Sequence, residues 1–168
     1  MRPQDPLLIR SATPADGAPV ASIYNHYVTG SIVTFEEEPA SATEMSRRID
    51  DVLAMSLPWL VAERDGDVLG FAYATKWRPR FGYRFSVEVT VYLAVDQGGR
   101  GIGSSLYESL IAGLRERGLH AALGGIALPN DASVALHEKF GFKKVAHFAQ
   151  VGIKFDRWID VGYWQLLL

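Results

Sequence analysis

The sequence predicts an α/β protein built on a mixed β-sheet. Three observations support this prediction: helical and strand-like periodicities alternate along the 168 residues, a tight turn joins two of the strands, and a glycine-rich tract connects a strand to a helix. Alternation of this kind is typical of a sheet covered by helices, and a tight turn makes its two strands antiparallel. We expect one domain over residues 1–168, because the length suits a single core and no linker interrupts it.

The first part of the chain predicts one strand and two helices. A short apolar run at residues 7–9 indicates the strand. Thr13-Pro14 supplies an N-cap residue and a proline at the first helical position, so we expect a helix from here to Gly30. Ser41, which has a glutamate three residues later, matches the capping-box pattern and begins a second helix that continues to Pro58.

The middle of the chain predicts three strands. Residues 59–62 and 68–73 flank Asp65-Gly66, which is a strong hairpin signal, so these two strands should be antiparallel neighbours. In residues 86–95, apolar and polar side chains alternate with a period of two. This alternation is typical of a strand with two different faces.

The glycine-rich tract at residues 97–103 follows that strand directly. Glycines allow backbone N–H groups to approach an anion, and the start of the next helix adds partial positive charge, so the tract indicates phosphate binding. It does not match the loop of nucleoside-triphosphate-binding proteins, because Ser104 stands where that loop needs lysine. The dinucleotide fingerprint fails at the same residue, where it requires a third glycine.

The last part of the chain predicts two helices and three strands. Leucines spaced four residues apart indicate a helix from Ile102 to Gly118, and an apolar strand follows at residues 121–127. A short helix is expected at residues 133–139. Strand-like runs at residues 145–151 and 161–168 complete a mixed sheet of about seven strands with about four flanking helices.

The composition excludes several classes of function. Seventeen basic and 19 acidic residues give a net charge of -2, so the chain lacks the basic field of nucleic-acid-binding proteins. The absence of cysteine excludes disulfides and zinc–thiolate sites, and the four histidines have no paired ligand spacing, so we expect no metal. A polar beginning without a signal peptide, and apolar runs too short for the roughly 20 residues of a membrane span, predict a cytoplasmic protein that does not bind membranes.

Several separated motifs resemble the GCN5-related N-acetyltransferase (GNAT) superfamily and, within it, the phosphinothricin and methionine sulfoximine acetyltransferases. The resemblance covers nearly the whole chain and rests on residues 35–39, 77–78, 87–92, 99–103, 128–138, 141–142 and 152–161. It implies a GNAT fold in which the fourth and fifth strands splay around acetyl-CoA. It also implies a homodimer that transfers acetyl, by direct attack on the thioester, to the amino group of phosphinothricin, methionine sulfoximine or methionine sulfone.

The resemblance further assigns cofactor contacts. The implied residues are Tyr92, Leu93, Ala94, Val95, Arg100, Gly101, Ile102, Gly103, Ser104, Asn130, Ser133 and His137. The family's pyrophosphate loop carries Gln or Arg at the position of Gly98, so this chain lacks one side-chain contact, for which Gln97 or Arg100 is a candidate substitute. The alternative is an ordinary glycine-rich turn.

Glu88 and His137 are the catalytic candidates. Glu88 is a carboxylate in an otherwise apolar strand, where burial would raise its pKa and suit it to remove a proton from the attacking ammonium. The alternatives are a solvent-facing glutamate or an ion pair with Arg84. The resemblance places His137 near the departing thiolate, where histidine could return a proton; a cofactor contact or a purely structural helix residue are the alternatives.

Substrate selection is assigned to the segment of four cations and three aromatics at residues 76–84, because guanidinium groups match carboxylate or phosphinate oxygens. The candidate residues are Phe35, Arg78, Arg80, Tyr83 and Glu88. The segment could also be a solvated loop, and Phe35 could belong to the core. Lys154 and Trp158 are weaker candidates for the pocket or a dimer edge.

Two other functions agree with the sequence. One is acetylation of a different small amine. The other is a coenzyme A-binding module without catalysis, although the presence of Glu88 disfavours it.

Overall fold

A seven-stranded mixed sheet with four flanking helices forms the fold of residues 6–168, which the computed structural model describes. The strands are β1 (Leu8–Ser11), β2 (Trp59–Arg64), β3 (Asp67–Lys76), β4 (Ser86–Leu93), β5 (Ala121–Ala127), β6 (Lys143–Lys154) and β7 (Arg157–Leu167). The helices are α1 (Gly17–Gly30), α2 (Ala42–Ala54), α3 (Ile102–Glu116) and α4 (Asp131–Lys139). The α/β class and the numbers of strands and helices expected from the sequence are confirmed.

The strand order is β1-β2-β3-β4-β5-β7-β6. β4 and β5 are parallel, and the other neighbouring strands are antiparallel. The β4–β5 pairing is short: it joins Ser86, Val87 and Glu88 to residues 121–123 and stops there, although both strands continue. The predicted divergence of the fourth and fifth strands is therefore confirmed.

Local signals in the sequence placed several elements correctly. Asp65 and Gly66 have positive φ values of 53° and 85° and turn the chain between β2 and β3, as a tight hairpin requires. The Ser41 side chain accepts a hydrogen bond from the Glu44 N–H at 3.0 Å and caps α2. Asn130 caps α4 in the same way through the Ser133 N–H.

The start of the first helix differs from the prediction. Thr13-Pro14 begins a 3₁₀ turn over Pro14–Asp16, and α1 begins only at Gly17. The Asp16 carboxylate accepts the Thr13 N–H and binds both terminal nitrogens of Arg10 at 2.9 and 2.8 Å. This bidentate ion pair holds a tight turn ahead of the regular helix.

Several strand boundaries also differ. β4 ends at Leu93 rather than Val95, because the chain turns at Asp96 (φ 62°), and the Val95 side chain is 53% exposed. At the other end of the fold, β6 and β7 are longer than expected and meet at Phe155-Asp156, where both φ values are positive. That turn lacks the glycine that usually marks a two-residue hairpin, so the sequence pattern did not reveal it.

The sheet separates two layers of helices. Residues paired directly across β3 and β4 share a face, so Glu88 lies on the same side as its partner Thr75. On this side, which we call the α1/α2 face, Tyr24 of α1 packs edge-to-face on Tyr92. α3 covers the opposite side, the α3/α4 face, where an added Cβ on Gly70 would meet Leu106 at 3.4 Å. In the described part of the chain, no helix is long and apolar enough to cross a membrane.

Candidate active site

A cavity of about 430 Å³ lies where β4 and β5 part. Its walls come from α1 and the chain after it, β4 and the turn after it, α3, β5 and α4. Seven of the twelve residues implied as cofactor contacts line it: Tyr92, Leu93, Ala94, Val95, Asn130, Ser133 and His137. The fold therefore brings the end of β4 and the beginning of α4 together around one space.

The glycine tract enters α3 beside this cavity. Gly99 and Gly101 have φ values of 73° and 81°, a conformation that other residues rarely adopt, and Gly101 is the N-cap of α3. Gly98 lines the cavity, and an added Cβ there would meet no atom within 4 Å. Space is thus open at the position where the family pattern has Gln or Arg. The remaining implied residues lie at the start of α3 and are absent from the cavity lining among the described residues: Arg100, Gly101, Ile102, Gly103 and Ser104.

Glu88 lies on β4 at the last residue pair before the strands part. It is half-buried, and burial raises its pKa above the ordinary value of 4.5, while the nearby charge of Arg78 lowers it less. An added Cβ on Gly125 of β5 would lie 3.2 Å from Glu88 Oε1, so the carboxylate faces the gap. Arg84 does not form the ion pair considered from the sequence, since its guanidinium lies over the ring of Phe81 at 4.1 Å.

His137 is fixed at both ring nitrogens. The side chain is 3% exposed, with Nδ1 at 2.7 Å from the Ser133 carbonyl oxygen and Nε2 at 2.9 Å from the Tyr107 hydroxyl. A carbonyl oxygen only accepts hydrogen bonds, so Nδ1 carries the proton and Nε2 of the neutral ring accepts from Tyr107. Burial lowers the pKa of His137, which favours this neutral form.

Tyr107 is a site residue that the sequence did not reveal. It is 1% exposed, lines the cavity and bonds to His137 across the α3–α4 interface. Its neighbour Leu106 belongs to the leucine pattern of α3, so the sequence suggests only that Tyr107 is another core residue. The hydrogen bond spans 30 positions of sequence, and no local pattern signals it.

Glu88 and His137 approach the gap from opposite faces of the sheet. An added Cβ on Gly124 would overlap His137 Nε2, whereas one on the next residue, Gly125, would approach Glu88. Successive residues of a strand point to opposite faces. His137 therefore belongs to the α3/α4 face, and Glu88 to the α1/α2 face.

The basic and aromatic segment lies beside Glu88, but only part of it converges there. The Arg78 guanidinium stacks over Trp77 at 4.7 Å, and Trp77 packs edge-on against Tyr163. Arg80 and Tyr83 are exposed, and within residues 6–168 no hydrogen bond or ion pair joins either to Glu88. Arg78 is thus the cation of this segment whose charge reaches the carboxylate.

Phe35 lies outside the core, and it is not among the residues of the described chain that line the cavity. Its side chain is 41% exposed, and its ring covers Gly152 of β6, where an added Cβ would overlap it. Lys154, two residues further along β6, is 1% exposed, whereas Trp158 is 64% exposed. In residues 6–168, no group of three or more His, Asp or Glu side chains is arranged to hold a metal ion.

Known proteins resemble this chain in both sequence and fold. The profile of the acetyltransferase (GNAT) domain matches residues 9–162. Phosphinothricin N-acetyltransferase of Streptomyces viridochromogenes is 43% identical over 162 residues, covering 95% of this chain and 87% of that protein. L-methionine sulfoximine/L-methionine sulfone acetyltransferase of Pseudomonas aeruginosa is 38% identical over 161 residues, covering 95% and 94%. The solved structure of a Salmonella typhimurium acetyltransferase with its cofactor acetyl-CoA has a TM-score of 0.94 at 35% identity and covers 98% and 95%.

Proposed function

Because this chain belongs to the acetyltransferase (GNAT) family and is an N-acetyltransferase that uses acetyl-CoA, we propose that it acetylates the amino group of a small amino acid analogue. The proposed acceptors are phosphinothricin, methionine sulfoximine and methionine sulfone, after the names of the relatives. The observation that carries this proposal is a half-buried carboxylate, Glu88, with a raised pKa and a nearby cation at the point where β4 and β5 part.

The residues around the cavity fit acetyl-CoA. Beyond Glu88, the edge of β4 that faces β5 has no ladder partners in the described chain, so its backbone groups suit the amides of the pantetheine arm. The Leu93 carbonyl oxygen is not one of these free groups, because it already accepts a hydrogen bond from the Tyr27 hydroxyl at 2.6 Å. The first N–H groups of a helix have no partner within it, so the N-terminus of α3 suits the pyrophosphate. Because Gly98 stands where the family pattern has Gln or Arg, we assign to Arg100 the side-chain contact with the pyrophosphate that Gly98 cannot make. Bound acetyl-CoA supplies the thioester carbonyl that the amine attacks.

Glu88 is the proposed general base. An amino acid is mostly an ammonium ion at neutral pH and becomes a nucleophile only after it loses a proton. A carboxylate whose pKa is raised by burial is a stronger base than one in water. Glu88 takes up that proton from the α1/α2 face, directly or through water.

His137 is proposed as a neutral residue that shapes the cofactor side of the cavity. Its Nε2 accepts a hydrogen bond from the Tyr107 hydroxyl, so this nitrogen carries no proton that it could donate to the thiolate. To act as an acid, His137 would first have to be protonated at Nε2, and its lowered pKa opposes that. A supporting role beside the departing thiolate therefore agrees better with its hydrogen bonds than direct acid catalysis.

Arg78 and Phe35 are the proposed determinants of the acceptor. The Arg78 guanidinium is exposed beside Glu88 and suits a carboxylate or phosphinate. Phe35 presents an aromatic surface to the aliphatic part of the acceptor. Acetylation of a different small amine is the second candidate, because the exposed guanidinium of Arg78 suits any amine that carries a carboxylate.

A homodimer is a further proposal. β6 is an edge strand of the sheet, and it and the turn after it expose Val151, Ile153 and Phe155, each at least half exposed. Such an apolar edge favours association with a second copy. Sedimentation velocity should give twice the mass of 18.5 kDa, and a single-chain mass would refute the dimer.

A thiol-release assay tests the proposed function. The wild-type protein is given acetyl-CoA with phosphinothricin, methionine sulfoximine, methionine sulfone, the 20 common amino acids, polyamines and a peptide N-terminus. We expect the highest kcat/KM with the phosphinate, sulfoximine or sulfone. Turnover confined to polyamines or peptides would overturn the proposed acceptor class.

A further inference from the structure

Lys154 is a buried cation that the proposed mechanism does not use. It is the last residue of β6, is 1% exposed, and its Nζ donates to the Thr34 carbonyl oxygen at 2.7 Å and lies 3.5 Å from that of Tyr27. Burying a lysine costs free energy unless its charge and donors are compensated. Within residues 6–168 no salt bridge reaches it. Its hydrogen-bond partners are the two carbonyl groups, and its Nζ also lies 5.2 Å from the centroid of the Phe155 ring.

Its partners lie at two positions that the fold has to bring together. Tyr27 is in the last turn of α1, where the helix presents the partial negative charge of its carbonyl end. Thr34 belongs to the chain between α1 and α2. The carboxylates of Glu36 and Glu37 also favour the charged lysine, while burial lowers its pKa. The ammonium therefore joins β6 to the chain that leaves α1.

That chain, residues 31–36, forms a wall of the candidate site, and we call it the Phe35 segment. Val33 lines the cavity between β4 and β5. The segment is held at two further points, by the Tyr24 hydroxyl at 2.8 Å from Thr34 Oγ1 and by an ion pair of Arg48 with Glu36. β6 supplies a second contact, because the Phe35 ring covers Gly152.

From this geometry we propose that Lys154 is a positioning residue: its hydrogen bond to Thr34 holds the Phe35 segment against β6 and so sets the affinity for the amine acceptor. Gly152 completes the arrangement, since the absence of a side chain leaves room for the Phe35 ring. Turnover of bound acceptor does not depend on this contact. The affinity for acetyl-CoA depends on it only weakly, because Val33 is the only residue of the segment that lines the cavity in the described chain. The proposal rests on the proposed function only for the identity of the acceptor.

The test compares Lys154→Met, which keeps the length of the side chain without its donors, with Lys143→Met, which removes an exposed lysine from the same strand. Two quantities are measured. The first is amide hydrogen exchange of residues 31–36 without any ligand. The second is steady-state kinetics with acetyl-CoA and whichever acceptor the wild-type protein turns over fastest.

We expect exchange in the Phe35 segment to become roughly tenfold faster in Lys154→Met, and KM for the acceptor to rise roughly tenfold while kcat and KM for acetyl-CoA change less than about twofold. Lys143→Met should match the wild type. Unchanged exchange, unchanged acceptor KM, or an equal effect of Lys143→Met would overturn the proposal. If phosphinate, sulfoximine and sulfone are all inert, the proposed function fails, whereas the exchange measurement still decides the anchoring.

Gly152→Ala provides a second variant that leaves the buried charge in place. Its added methyl group displaces the Phe35 ring, and the backbone of Gly152 does not have the positive φ that would forbid alanine. If Lys154→Met does not fold, this variant decides: a raised acceptor KM at wild-type KM for acetyl-CoA supports the positioning role of the Phe35 segment, and unchanged kinetics overturn it.

Discussion

The two faces of the sheet present very different titratable groups to the same gap. On the α1/α2 face, Glu88 is half-buried, and in the described part of the chain no hydrogen bond occupies its carboxylate. On the α3/α4 face, His137 is buried and bonded at both ring nitrogens. A base that must accept a proton from a substrate needs a free lone pair, whereas a fully bonded ring is held in place. We therefore assign the proton transfer to Glu88. His137 is assigned a structural role, in which it shapes the cofactor side of the cavity.

Removing the carboxylate of Glu88 should have the largest effect. Glu88→Gln keeps the size of the side chain but cannot take up a proton, so we expect kcat to fall by about 10²-fold or more. The affinity for coenzyme A, measured by calorimetry, should stay within about twofold of the wild type. Glu116→Gln, at an exposed residue of α3, is the control and should leave both quantities unchanged.

Crowding the opposite face should affect stability and cofactor binding. Gly124→Ala places a methyl group against His137 Nε2 in a packed interior, and such overpacking costs up to about 3 kcal/mol. Chemical denaturation should show that loss, and calorimetry should show weaker binding of coenzyme A. Gly82→Ala, where an added Cβ meets no atom within 4 Å, should be neutral; equal losses in both variants would contradict the packing of His137 against β5.

Breaking the Tyr107–His137 hydrogen bond should have a smaller effect. Tyr107→Phe leaves Nε2 of the buried imidazole without a donor, which should cost about 1 kcal/mol of folding free energy or slightly more. Turnover should change much less than in Glu88→Gln. A loss of kcat as large as that of Glu88→Gln would instead make the tyrosine–histidine pair part of the proton transfer.

The smallest effect concerns the pH profile. The Arg78 charge lowers the raised pKa of Glu88, so Arg78→Gln should raise that pKa further. The base works when it is deprotonated, so activity falls as the pH drops through this pKa, and the acidic limb of kcat/KM should move to higher pH. Arg80→Gln is the matched control, and an equal shift there would show that Arg78 has no special relation to Glu88.

The sequence predicted best what local chemistry determines. The Asp65-Gly66 hairpin and the cap at Ser41 each depend on a few consecutive residues, and both are confirmed. The glycines with positive φ before α3 follow the same rule. The early end of β4 was missed because the turn at Asp96 uses an aspartate rather than a glycine in the left-handed region.

Long-range partnerships remained beyond the sequence. The position of Tyr107 within the apolar pattern of α3 is that of a core residue. Only the packing of α3 on α4 brings its hydroxyl to His137. Lys154 lies 120 positions from Thr34, and no spacing rule relates a lysine at the end of a strand to a carbonyl group after a helix. The family resemblance directed attention to Glu88 and His137, but it did not reveal that they face the gap from opposite sides.

The direct test of this division between the two faces is a titration of Glu88 itself. Carbon-13 NMR of the glutamate carboxyl groups, with Glu88→Gln to assign the signal, gives the pKa of this side chain in the free enzyme. The account predicts a midpoint above the ordinary 4.5 that coincides with the acidic limb of kcat/KM. A midpoint at or below 4.5, or an acidic limb that persists unchanged in Glu88→Gln, would contradict it.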